Sequence, residues 1–128
     1  MTDSTIAFIG LGLIGGSIAR GIKREKPDTK IMAYMRTRSR LLSALDEGVI
    51  DVILDGVNEQ LSECDLIFLC TPVEYNARYL AEIKPFLKPG AIITDVGSTK
   101  TDIHEAVTRL GMEDCFIGGH PMARSAEH

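Results

Sequence analysis

Gly10-Leu11-Gly12-Leu13-Ile14-Gly15 has the spacing GxGxxG and stands between a compact aliphatic run, Thr5 to Ile9, and a stretch of helical period. In that context each glycine has its own task. The first permits a tight turn, the second lets a pyrophosphate approach the backbone, and the third lets the helix pack closely on the strand. The free N–H groups and positive dipole end at the helix start then favour an anion. The chemistry implied is dinucleotide binding through the residues Gly10 to Gly15.

An acidic residue roughly 20 positions after such a loop holds the adenosine ribose of NAD. That position is Met35, which accepts no such bond, and Arg36-Thr37-Arg38-Ser39-Arg40 follow it. Guanidinium forks match phosphate oxygens, so Arg36, Thr37, Arg38 and Ser39 favour the 2′-phosphate of NADP over NAD. A solvated basic loop before a helix is the alternative.

Three further segments carry polar or special residues at the ends of apolar runs. Thr71-Pro72-Val73 follows Leu66 to Cys70, and Pro72 suits the first turn of a helix. These residues border a cofactor or simply connect strand to helix. Asp95-Val96-Gly97-Ser98-Thr99-Lys100 follows the next run. Ser98 there is either a helix cap or a hydroxyl offered to a substrate or nicotinamide. Gly118-Gly119-His120-Pro121-Met122-Ala123 holds a histidine before a proline, a position pushed towards extended backbone. Imidazole is the side chain suited to proton exchange near neutral pH. His104, on an expected helix, reads as a surface residue.

The elements that must position these residues alternate between strand and helix. Strands are expected at Thr5 to Ile9, Lys30 to Tyr34, Val52 to Leu54, Leu66 to Cys70, Ala91 to Val96 and Cys115 to Gly118. Apolar residues at successive positions suit strands buried on both faces, as in a parallel sheet. Helices are expected at Ile14 to Arg24, Arg40 to Glu47, Glu74 to Phe86 and Asp102 to Leu110. Gly48 is placed as a C-terminal cap, and Ala77, Leu80, Ala81 and Ile83 as one apolar face. The pattern predicts an α/β fold, a doubly wound parallel sheet of the Rossmann type in the order 3-2-1-4-5-6, with a flavodoxin-like order as the alternative. Ligands of such sheets sit at the carboxyl ends of the strands, which brings all the segments above to one edge.

Composition narrows the function classes. The chain has 128 residues, 45% hydrophobic and 25% charged, with a net charge of −4. This is the balance of a single globular domain, without the basic excess of a nucleic-acid binder. Cys64, Cys70 and Cys115 are odd in number and form no CxxC, so neither a disulfide framework nor a metal site is suggested. Cysteine usage of this kind fits a reducing compartment. The apolar stretch Ile6 to Ala19 is glycine-rich, too short to span a bilayer and preceded by Asp3, so no membrane association is expected. The location expected is cytoplasmic.

Taken together, GLGLIGGS at Gly10 to Ser17, TPV at Thr71 to Val73, DVGSTK at Asp95 to Lys100 and GGHPMA at Gly118 to Ala123 resemble the prephenate dehydrogenase family, which includes arogenate and cyclohexadienyl dehydrogenases. The resemblance covers nearly the whole chain. Its first motif is shared with other nucleotide binders, and its last two are specific. It implies NADP- or NAD-dependent oxidative decarboxylation of prephenate to 4-hydroxyphenylpyruvate in tyrosine biosynthesis, with arogenate as the alternative substrate. By the matching motifs, His120 bonds the ring hydroxyl and takes its proton, Ser98 orients that hydroxyl or the histidine, and Ser125 lies near the substrate carboxylate. In Arg124-Ser125-Ala126 the sequence departs from the family at Arg124 and Ala126, since members usually continue with Gly, then Ser or Thr, then Glu.

The resemblance also implies a second, helical domain that closes the substrate site and forms a homodimer. Residues 1–128 are then expected to be the NAD(P)-binding domain of a longer enzyme, inactive or nearly so by themselves. A non-catalytic dinucleotide-binding module is the alternative. Retention of both Ser98 and His120 argues against it, since a pure binder needs neither.

Overall fold

The computed structural model describes residues 4–71, 73–96 and 107–117. Strand β1 (Thr5–Ile9) leads into helix α1 (Gly12–Glu25), then β2 (Lys30–Tyr34), α2 (Arg38–Asp46) and β3 (Val52–Ile53). A 3₁₀ turn over Glu59–Glu63 precedes β4 (Leu66–Leu69), α3 (Val73–Ile83), a second 3₁₀ turn over Lys84–Phe86, and β5 (Ile92–Asp95). Helical backbone at 107–110 leads to β6 (Phe116–Ile117).

All pairings are parallel, and the sheet runs β3-β2-β1-β4-β5-β6. This is the doubly wound order expected from the sequence, so the flavodoxin-like alternative falls. The order reverses beside β1, whose register sets Phe8 opposite Ala33 on one side and Phe68 on the other. The crevice at the carboxyl end of β1 is thus where a ligand is expected in such a sheet.

Side-chain alternation divides the core between the two faces. Ala7 and Ile9 join Met32, Ile67, Leu69, Ile93, Leu80 and Ile83 on the face covered by α3. Ile6 and Phe8 join Ile31, Ala33, Ala19 and Leu41 on the face covered by α1 and α2. Phe8 and Phe68 stack at 4.8 Å across the β1–β4 pair.

Some boundaries differ from the sequence expectation, each for a physical reason. α3 gives way to a 3₁₀ turn at Lys84 because Pro85 has no N–H for the helical ladder. Ala81 is exposed while Leu80 and Ile83 are fully buried, so Ala81 leaves the apolar face. α2 starts at Arg38, two residues before Arg40, behind an extended Thr37 at its N-cap. The 3₁₀ turn at Glu59–Glu63 was not expected; Asn58 caps it, its side-chain oxygen accepting from Gln60 N–H at 2.9 Å. Gly48 does end α2: its N–H donates to the Leu45 carbonyl at 3.1 Å and the Val49 N–H donates to the Ala44 carbonyl at 2.9 Å, the paired bonds of a Schellman cap.

Two carboxylates tie the amino ends of the strands together, opposite the crevice. Asp51 accepts from Lys23 Nζ at 2.6 Å and from Ile31 N–H at 2.8 Å. Asp65 accepts from Thr5 N–H at 3.0 Å and pairs with Lys88. No helix among the described residues is long and apolar enough to cross a membrane.

Candidate dinucleotide-binding site

The glycine loop is built at the point where three strands converge. Gly10 follows β1 with φ +83°, and its N–H donates to the Tyr34 carbonyl at the end of β2 at 2.6 Å. A Cβ on Gly10 would lie 2.6 Å from Thr71 Cγ2 and 3.1 Å from the Cys70 carbonyl carbon, just past β4. No side chain fits there, so this glycine is required by the protein itself.

Gly15 is closely packed as well. A Cβ there would meet Cys70 Sγ and the Gly10 carbonyl oxygen, both at 3.3 Å. Gly12 is different: with φ +52°, a Cβ on it would meet nothing within 4 Å. Two glycines are thus explained by contacts within the chain and the third faces open space. That is the arrangement a pyrophosphate needs, with backbone exposed where the ligand approaches. Leu11 supplies no side-chain cap to α1, and its first turn holds no acid, so neither blocks an anion at the helix start. Ile14 is 56% exposed, an unusual position for a large aliphatic side chain, at the same edge. Leu13 lies in the first turn of α1.

Beyond β2 the basic segment divides between two clefts. The Arg36 guanidinium lies 5.9 Å from the Tyr75 ring centroid, within cation–π range. Both line a cleft of about 460 Å³ that also includes Tyr34 and Tyr79. Met35 and Ser39 line a second cleft, of about 270 Å³, between α1 and α2. Thr37 caps α2 through its backbone only, its hydroxyl making no cap bond. Arg38, expected beside Arg36, instead turns to Asp55 at 3.4 Å, with both side chains exposed.

On the other side of the crevice, Cys70 and Asp95 stand at the ends of β4 and β5. Burial, and then the charge of Asp95, push the Cys70 thiol up to about 12. It is a protonated packing residue. Asp95 is 2% exposed, a buried acidic residue that the sequence placed at the head of its motif without a role of its own. Its signal in the sequence was an acid near the end of a largely apolar strand. Thr71 is half-buried beside Gly10, and Val73 opens α3. Pro72, Gly97, Ser98, His120 and Ser125 lie outside the described residues, and so does His104.

A strand, a glycine loop with its open face at Gly12, and a reversal of strand order beside it constitute a dinucleotide cradle. Residues 18–128 match the family described as prephenate dehydrogenase, nucleotide-binding domain. The chain belongs to this family. The matched range begins just after the glycine loop, and similarity to individual family members extends over that loop as well. Prephenate dehydrogenase of Lactococcus lactis subsp. cremoris is 43% identical over an alignment of 123 residues, which covers 94% of this chain and 34% of that protein. The chain spans about a third of the length of that curated relative.

Solved structures of the prephenate dehydrogenase family agree. That of the A. aeolicus prephenate dehydrogenase in complex with hydroxyphenyl propionate and NAD+ has a TM-score of 0.83 at 26% identity, covering 96% of this chain and 43% of that one. Synechocystis arogenate dehydrogenase has a TM-score of 0.79 at 35% identity, covering 91% of this chain and 40% of that one.

Proposed function

We propose that residues 1–128 are the NAD(P)-binding domain of a longer enzyme that converts prephenate to 4-hydroxyphenylpyruvate, in tyrosine biosynthesis. The observation that carries this reading is the open cradle at Gly12 in a chain of the prephenate dehydrogenase family. Arogenate is the second substrate reading, favoured by the similarity to the Synechocystis arogenate dehydrogenase.

When bound, the nicotinamide cofactor supplies the two-electron acceptor. The chain's own residues bind and position. The Gly10 to Gly15 loop receives the pyrophosphate, with Thr71, Pro72, Val73 and Gly97 bordering the cofactor from the ends of β4 and β5. Arg36 and Tyr75 flank the adenine ring of the cofactor. His120 takes the proton of the ring hydroxyl, and Ser98 orients that hydroxyl. Ser125 stands near a substrate carboxylate. The hydroxyl-bearing carbon gives up its hydrogen with an electron pair to the bound cofactor as the hydroxyl proton leaves, the ring carboxylate departs as carbon dioxide, and the electron pair of that broken C–C bond completes the aromatic ring. A general base of this kind acts as neutral imidazole.

NADP is the preferred cofactor in this reading. Met35 stands where NAD enzymes carry an acid, and the residues after it are basic and hydroxylic. The substrate is a small molecule, with neither nucleic acid nor membrane as partner, and the full enzyme is a homodimer through its helical domain. The free thiols Cys64, Cys70 and Cys115 support a cytoplasmic location. Titration of the chain with NADP and NAD tests the binding half of the proposal. Steady-state turnover of prephenate and of arogenate, by the form that carries the helical domain, tests the catalytic half. Binding of neither dinucleotide would refute the first, and turnover of neither substrate the second.

A further inference from the structure

We propose that Arg40, with Ser39, is the residue that selects a 2′-phosphate, and that Arg38 is not. This assignment rests on the NADP reading above and says which side chain carries it. The cleft between α1 and α2 is lined both by Gly12, where the backbone is open to a pyrophosphate, and by Met35, which stands at the sequence position of the ribose ligand. A ribose that follows the pyrophosphate would therefore present its 2′ position to this cleft. Ser39, Arg40 and Ser43 line its α2 wall. Gly16, on the α1 wall, carries no side chain and a Cβ there would meet nothing within 4 Å, so the opening is not filled from that side.

Charge separates the three arginines. Arg38 is engaged by Asp55 at 3.4 Å and does not line this cleft. Arg36 lies over Tyr75 in the other cleft. Arg20 and Glu47, which also line the α1–α2 cleft, pair with each other at 2.6 Å and largely cancel. Among the described residues no carboxylate pairs with Arg40. An arginine and two serines lining a small opening that also includes Met35 suit a dianionic phosphate, because the guanidinium fork matches its oxygens.

The test uses adenosine 2′,5′-bisphosphate and adenosine 5′-monophosphate as probes, which differ only in the 2′-phosphate. Their dissociation constants are measured for the chain and for Arg40→Ala, Arg40→Lys and Arg38→Ala. The chain should bind the bisphosphate about tenfold or more tightly than the monophosphate, as loss of a charge-assisted bond implies. Arg40→Ala should bring that ratio close to one, Arg40→Lys should retain part of it, and Arg38→Ala should leave it unchanged. A ratio near one in the unaltered chain would overturn the NADP reading, and this assignment with it. A large ratio that survives Arg40→Ala and disappears in Arg38→Ala would overturn this assignment alone. Melting temperatures confirm that each variant is folded.

Discussion

Gly15 faces Cys70 so closely that a Cβ on the glycine would lie 3.3 Å from the cysteine Sγ. Helix α1 and the end of β4 are spaced by a missing side chain on one partner and a small half-buried thiol on the other. The Gly10 carbonyl oxygen, at the same 3.3 Å, ties this spacing to the shape of the loop. In Gly15→Ala, the gain of up to about 1 kcal/mol from replacing a helical glycine offsets part of the contact strain. Stability should therefore change little, while dinucleotide affinity falls because the Gly10 carbonyl is displaced. Adding Cys70→Ala removes one of the two contacts. In the Cys70→Ala background, Gly15→Ala should be better tolerated than in the unaltered chain by about 0.5 kcal/mol or more, as expected for directly touching residues. Strict additivity in denaturant titrations would show that the contact has no such role.

Gly10 and Gly12 should respond in opposite ways to the same methyl group. Gly10→Ala drives a Cβ to 2.6 Å from Thr71 Cγ2 in a positive-φ backbone. Strain of about 1–2 kcal/mol and overpacking of about 1–3 kcal/mol add there, and the melting temperature should fall clearly. Gly12→Ala meets no neighbour, so it retains only the backbone strain and should stay folded while losing dinucleotide affinity. Equal affinity in folded Gly12→Ala would remove the basis for placing the pyrophosphate at this loop.

Much of this architecture is legible because a central parallel strand needs apolar residues on both faces. Ile6-Ala7-Phe8-Ile9 and Ile31-Met32-Ala33 announce such strands without any knowledge of their neighbours, and both strands have the expected bounds. The glycine loop is legible for a similar reason, since its tasks are fixed by the local chain. The division of the basic segment is not. Arg38 leaves the expected site for Asp55, 17 residues away, and only the folded loops bring the two together. Asp95 shows a further limit: its burial follows from β4 beside it and not from its own segment.

The Asp51 and Asp65 carboxylates should make stability depend on pH in the acid range. For Asp51, burial raises the carboxyl, but the bonds from Lys23 and Ile31 N–H outweigh it and hold it below its ordinary 3.8. For Asp65, the Lys88 bond and then the Thr5 N–H lower it from the same value. A depressed folded value stabilises above the unfolded value, and that contribution is lost as pH falls through the folded one. The melting temperature should thus be flat near neutrality and fall below about pH 4. Both groups are partly exposed, so the effect is modest and weakened by salt. Asp51→Asn should reduce the acid slope and leave the Asp65 share. An unchanged slope in that variant would mean that the Asp51 brace contributes nothing.

The proposed role of His120 is open to a kinetic test in the form that carries the helical domain. As the base for the ring hydroxyl it must be neutral, and an ordinary imidazole titrates near 6.5, shifted up or down by its neighbours. The rate should therefore rise with pH through the value of that residue. In His120→Asn the ascending limb should vanish together with most of the rate, because the side chain still bonds the hydroxyl and no longer takes its proton. General-base contributions are typically about 10²–10⁴-fold. Cofactor affinity should persist, since the pyrophosphate contacts lie at Gly10 to Gly15. Ser98→Ala should slow turnover less and keep the ascending limb, because it removes an orienting bond and leaves the base in place. If His120 only holds the turn before Pro121, His120→Asn would lower the melting temperature and leave the pH profile as it was. Rates across pH for the two variants, set beside their melting temperatures, separate a proton acceptor from a structural residue.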